Sequence, residues 1–182
     1  MTDVTKVDAG LSIAAAVAPT GSTAPTDSTT ALNAAFKDLG IISEDGLLEA
    51  MNVSTTEIKG SDGSVVRVLK SSSQKTFKIK FLESNGNVLD LFYVKPTNSV
   101  VSGKTTLTVK PPSARDLRAF VFDILDGTKH RRIWIPFGEV TDFGDISYKN
   151  SDSVAYEATI TAYVDSNGVW FKEFVDVDLT PA

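Results

Sequence analysis

Residues 75–81 read Lys-Thr-Phe-Lys-Ile-Lys-Phe, so that Phe77, Ile79 and Phe81 alternate with Thr76, Lys78 and Lys80. A period of two puts the three apolar side chains on one face and the three polar ones on the other, which is the pattern of a half-buried β-strand. The alternation returns at 154–164, where Val154, Tyr156, Ala158, Ile160, Ala162 and Val164 oppose Ala155, Glu157, Thr159, Thr161 and Tyr163. A strand of that length exceeds what a small sandwich needs. Further β-branched or aromatic runs at 55–59, 65–70, 105–110, 117–125, 131–137 and 169–175 predict additional strands. The run 117–125 is apolar on both sides, which predicts cover on both faces.

Turn residues partition these strands. Ser61-Asp62-Gly63 and Asp126-Gly127 lie between strand candidates as tight-hairpin signals, and Ser166-Asn167-Gly168 separates the long strand from the run containing Trp170. One short helix is predicted over 85–93, capped by Asn85 or Asn87, with Val88, Leu91 and Phe92 facing the sheet and Pro96 stopping the chain soon after. Residues 19–30 are small, polar and interrupted by two prolines, so residues 1–30 are expected as a flexible N-terminal arm. The expected organisation is a mainly β domain over 31–176, an antiparallel β-sandwich or barrel with one packed α-helix, followed by a C-terminal tail at 177–182.

At 182 residues and 42% hydrophobic content, one compact core is the expectation. There is no cysteine, which excludes disulfides, zinc-thiolate sites and thiol nucleophiles. The net charge of -5 is unevenly spread: residues 1–51 hold seven acids and two bases, 52–149 ten and fifteen, and 150–182 six and one. A net basic surface of the kind that neutralises nucleic-acid phosphates is missing, while a basic middle flanked by acidic ends suits contact between copies as well as it suits an ordinary mixed surface. The stretch 11–18 is apolar and small, but Asp3 and Asp8 precede it where a secretory leader carries positive charge. No run approaches the roughly 20 apolar residues of a spanning helix.

No catalytic constellation emerges. The single histidine, His130, lies in Lys129-His130-Arg131-Arg132 next to a predicted turn, with no partners for a triad or metal site; Lys129, Arg131 and Arg132 are better candidates for a basic patch facing another subunit. The glycines occur singly at turns without a phosphate-loop pattern. The pairs Asp123/Asp126 and Asp142/Asp145 lack calcium-loop spacing and read as strand-end turn carboxylates. No cofactor or metal is expected.

The segment 36–50, Phe-Lys-Asp-Leu-Gly-Ile-Ile-Ser-Glu-Asp-Gly-Leu-Leu-Glu-Ala, followed by 55–60 and 63–67, resembles the N-terminal part of the tail tube proteins of bacteriophages with long noncontractile tails. Residues 75–83, the helix ending Phe92-Tyr93, Arg132-Ile-Trp-Ile-Pro-Phe-Gly-Glu-Val-Thr141 and 152–163 continue the resemblance, which spans about 36–174. It implies a β-sandwich subunit whose inner strands join with those of other copies into one barrel, in stacked hexameric rings around a channel for DNA ejection. It also implies acidic lumen residues, with Asp142, Asp145 and Glu157 as candidates, and a ring-stacking loop and arm at 43–51 and 4–30, with Ser43, Glu44, Asp45, Leu47 and Leu48 as candidates. The partners implied are further copies of the chain, a tape measure protein, and distal tail and tail terminator proteins. DNA would pass through without specific binding, and the subunit, made in the host cytoplasm, would reside in the virion tail. Two other readings stay open: a tube protein of a contractile injection or type VI secretion machine, and a carbohydrate-binding or adhesion module using Trp134, Tyr148, Tyr156, Tyr163 and Trp170.

Overall fold

The structure, a computed structural model, describes residues 12–111, 114–151 and 153–176. Ten strands and one helix follow in the order β1 (Ser12–Pro19), β2 (Lys37–Asp38), β3 (Ile42–Lys59), β4 (Val65–Phe81), α1 (Gly86–Phe92), β5 (Thr97–Val101), β6 (Lys104–Thr108), β7 (Arg118–Asp126), β8 (Lys129–Phe143), β9 (Tyr156–Ala162) and β10 (Lys172–Val175). Eight strands form one antiparallel sheet in the order β2-β1-β7-β8-β9-β4-β3, with β10 also on β8, while β5 and β6 form a separate hairpin. The mainly β, antiparallel architecture with one short helix is the one the alternation predicts.

The sheet wraps a single main core. Phe77, Ile79 and Phe81 of β4 meet Phe120 and Phe122 of β7, Ile133 and Ile135 of β8, and Ala158 and Ile160 of β9, all buried. The Phe77 and Phe122 rings stack at 5.9 Å. Helix α1 closes this core with Val88 and Leu91, and Phe92 packs edge-on against Tyr156 at 5.3 Å. Its cap is Asn85, whose side chain accepts from the Asn87 and Val88 N–H groups. The other face of β7, carrying Ala119 and Val121, is covered by Leu32, Ala35 and Phe36 together with Trp134. The two-sided burial expected for this strand is therefore present.

Several boundaries differ from the expectation. Residues 12–19, expected within a flexible arm, are β1, paired with β7 from Ser12↔Leu125 to Pro19↔Arg118 with Ala15, Val17 and Ala18 buried. Small side chains allow this strand to lie against a strand crowded with phenylalanines. Residues 20–30 form no strand but are tied down by groups from more than a hundred residues later. Arg132 donates to the Asp27 and Thr30 carbonyls, and the Ser28 hydroxyl donates to Asp176. The predicted runs 65–70 and 75–81 are one 17-residue strand, and β9 is shorter than its alternation suggests, because beyond Ala162 the chain turns away at Asp165–Gly168. The parts of the expected arm before Ser12, and the tail at 177–182, lie outside the described residues.

Candidate assembly surface

The longest elements generate the most unusual surface. Strand β9 accompanies β4 only from Phe81↔Tyr156 to Lys75↔Ala162, whereas β3 accompanies β4 to its far end at Lys59↔Val65. Residues 52–59 and 65–74 are thus a two-stranded ribbon, exposed along its whole length. At ~3.3 Å per residue, the eight residues from 52 to 59 reach roughly 26 Å beyond the three-stranded part. Two register shifts, at Ser54/Thr55 and Ile58/Lys59, add local twist. The tip closes with Gly60 N–H donating to the Ser64 carbonyl at 2.8 Å and Gly63 at φ +81°.

Apolar side chains concentrate here. Among the described residues, eight of the fifteen large exposed apolar side chains belong to β3 and β4: Leu48, Met51, Val53, Ile58, Val65, Val66, Val68 and Leu69. Register places Met51, Val53 and Val68 on the face continuous with Phe77, and Leu48, Ile58 and Leu69 on the opposite one. A lone two-stranded ribbon is marginal in water, and apolar groups on both of its faces are the composition of a segment covered by other protein.

The segment 43–51, expected as a loop, is part of β3. Ile42 faces Phe81 but Leu47 faces Ile79, so Ser43, Glu44, Asp45 and Gly46 bulge out of the ladder. Gly46, at φ +72°, makes that bend possible. Leu47 turns in against the core, while Leu48 is 58% exposed. Asp45 accepts from Lys80 at 2.8 Å, and this bond holds its carboxyl below the usual carboxylate value.

The three acidic candidates gather at one end of β8 and β9. Asp142 lies opposite Thr159, and Gly144, beside Asp145, donates its N–H to the Glu157 carbonyl at 2.8 Å. Glu157 is not a free charge, since Lys78 contacts it at 2.8 Å. The stretch of β8 and β9 next to it is hydroxyl-rich, with Thr141 and the buried Thr161 hydrogen-bonded at 2.8 Å.

The basic patch is largely consumed within the protomer. Arg132, 5% exposed, grips Asp123 through Nε and Nη2 at 2.5 and 3.0 Å. Arg131 meets Glu173 at 2.5 Å and Lys129 meets Asp126 at 3.9 Å. The charge map read these cations as available because their acidic partners are cross-strand neighbours, invisible before the register is known. The aromatic platform of an adhesion module is also absent: Tyr156 is buried, Trp134 and Trp170 pack against the cores, Arg115 covers Tyr163 at 4.1 Å, and Tyr148 alone of the five is largely exposed.

The β5–β6 hairpin was only half legible. Thr105–Thr108 belongs to a predicted run, but its partner Thr97–Val101 was missed, although two β-branched runs flanking Ser102-Gly103 are a hairpin signal. Both turn residues have positive φ, 49° and 75°, as a two-residue turn of this kind requires.

Among the described residues no three His, Cys, Asp or Glu side chains are grouped to hold a metal, and no helix is long and apolar enough to cross a membrane. A family model described as phage tail tube protein matches residues 13–182. No curated protein matches the chain.

Proposed function

The chain belongs to the phage tail tube protein family, and from that premise we propose that it builds the tube of a long noncontractile tail as stacked hexameric rings around a channel for DNA ejection. It is a structural subunit of the virion tail and assembles into a tube with other tail proteins. The observation that carries the finer reading is the exposed β3–β4 ribbon, with apolar side chains on both faces and, among the described residues, no third strand beyond Lys75. Neighbouring copies that pair with the open edge of β3 and cover this ribbon remove both liabilities at once. Repetition of such a head-to-tail contact closes a ring, and stacking of rings grows a filament.

In this reading the bulge at Ser43–Asp45 with Leu48 contributes to the contact between rings. Asp142 and Asp145 supply most of the negative charge at the wall, because Glu157 is compensated by Lys78. A wall of that sign repels passing DNA rather than binding it. Tape measure, distal tail and tail terminator proteins are the further partners, and catalysis plays no part.

Purified protein examined by negative-stain microscopy and light scattering, with and without isolated tail tips as seeds, tests the reading. Hollow filaments of uniform width are expected. Particles that stay single-chain at every concentration, even when seeded, would overturn it.

A further inference from the structure

Two features are left without a partner surface by the reading above. The first is the β5–β6 hairpin, which forms its own two-stranded sheet and exposes Val100 and Val101 at 66% and 68%. Between residues 97 and 111 it has no acidic residue, and Lys104 and Lys110 have no ionic partner among the described residues. The second is a groove of about 630 Å³ between β1 and the bulge of β3. Asp38, Glu44 and Glu83 line it with Ile13, Ile41 and Ile42, and among the described residues no lysine or arginine lines it. Ile41 is 62% exposed.

The groove is also a gap in the sheet. β2 pairs with β1 only at Ala16 and Val17, which leaves Ser12–Ala14 without a strand neighbour on that side among the described residues, and β3 is the last strand of their sheet path. Two open strand edges, apolar floor residues and carboxylates without bases suit an added β segment that is apolar and cationic. The hairpin tip, Val100-Val101-Ser102-Gly103-Lys104, has that chemistry. Within one protomer the two features belong to opposite ends of α1: Glu83 precedes the helix, and the hairpin follows it after Lys95.

We propose that the β5–β6 hairpin of one copy docks in the β1–β3 groove of a second copy, with Val101 on Ile41 and its cross-strand partner Lys104 facing Glu44. The contact rests on the tail-tube reading and adds its specific partner surfaces. It is heterologous, so it propagates through every copy that has both features.

The absence of native cysteine makes the test direct. Single variants V101C and I41C are mixed under assembly conditions and oxidised, and a mixed two-chain species is expected only in the mixture. A V101C/I41C double variant should give a ladder of many chains. In that double variant Lys104→Glu should lower the cross-linked yield about tenfold, and adding Glu44→Lys, so that every copy carries both changes, should restore it. Tubes that form without cross-linking, or cross-linking of V101C to itself alone, would overturn the docking while leaving the tube reading intact. Failure of any self-association would overturn both. If residues 1–11 of the same chain fill the groove instead, their removal would be needed before a thiol reagent reaches I41C in unassembled protein, and that result too would overturn the docking.

Discussion

Arg132 illustrates how much one residue can hold together. Its guanidinium spans Asp123 on the next strand and two carbonyls of the segment before β2. Removing one member of such a buried pair leaves the other uncompensated, so Arg132→Ala should cost about 3 kcal/mol, read from urea denaturation midpoints. Gly138 is constrained differently: a Cβ there would lie 2.7 Å from the Phe120 ring, which is fully buried. Gly138→Ala should cost ~1–3 kcal/mol by the same measurement. The turn at 26–30 makes a pH prediction. Hydrogen bonds from the Thr30 hydroxyl and from the Thr30 and Thr29 amides hold the Asp27 carboxyl well below its ordinary 3.8. A carboxylate with a lowered folded value stabilises the fold fully above its ordinary range and loses that contribution on further acidification. Amide exchange at Thr29 and Thr30 should therefore accelerate as pH falls below about 4, beyond the intrinsic trend, and Asp27→Asn should abolish that pH dependence.

At the scale of elements, the ribbon and the body are separable. The ribbon is bonded strand to strand but buries almost nothing on the core, whereas β4 residues 77, 79 and 81 are fully buried. Replacing residues 53–73 by a two-residue Asn-Gly turn, which joins the register partners Asn52 and Gln74, should change the unfolding free energy of the unassembled chain by less than ~1 kcal/mol and abolish tube formation. A large loss of stability in the single chain would show that the ribbon supports its own protomer. Most of this element logic was readable beforehand: the alternation at 75–81, the Asp-Gly and Ser-Asp-Gly turns, and the Asn85-capped helix all stand where their residues predicted. β1 was not readable as a strand, because Ser-Ile-Ala-Ala-Ala-Val-Ala lacks the alternation of a half-buried strand, and its small side chains are selected by the phenylalanines of β7.

For the whole molecule, stability and assembly are linked. If copies cover the ribbon, thermal unfolding should shift upward on polymerisation, and the shift should grow with protein concentration, as measured by calorimetry of assembled and unassembled fractions. An unchanged transition would mean that assembly buries little of the exposed apolar surface.

The amino-acid order by itself determined the antiparallel β class, the helix and its cap and most of the turns, because alternation, capping and turn chemistry are properties of adjacent residues; the likeness to tail tube proteins lay in the order and spacing of its segments. Only the tertiary structure decided that residues 12–19 are a strand of the main sheet, that Lys129, Arg131 and Arg132 meet acids of their own protomer, and that Ser43–Asp45 bulges from a strand. It also decided where β4 outruns β9 to leave the ribbon uncovered. Each of these depends on which strands become neighbours and in what register, and that pairing is a property of the packed chain rather than of any local stretch of it.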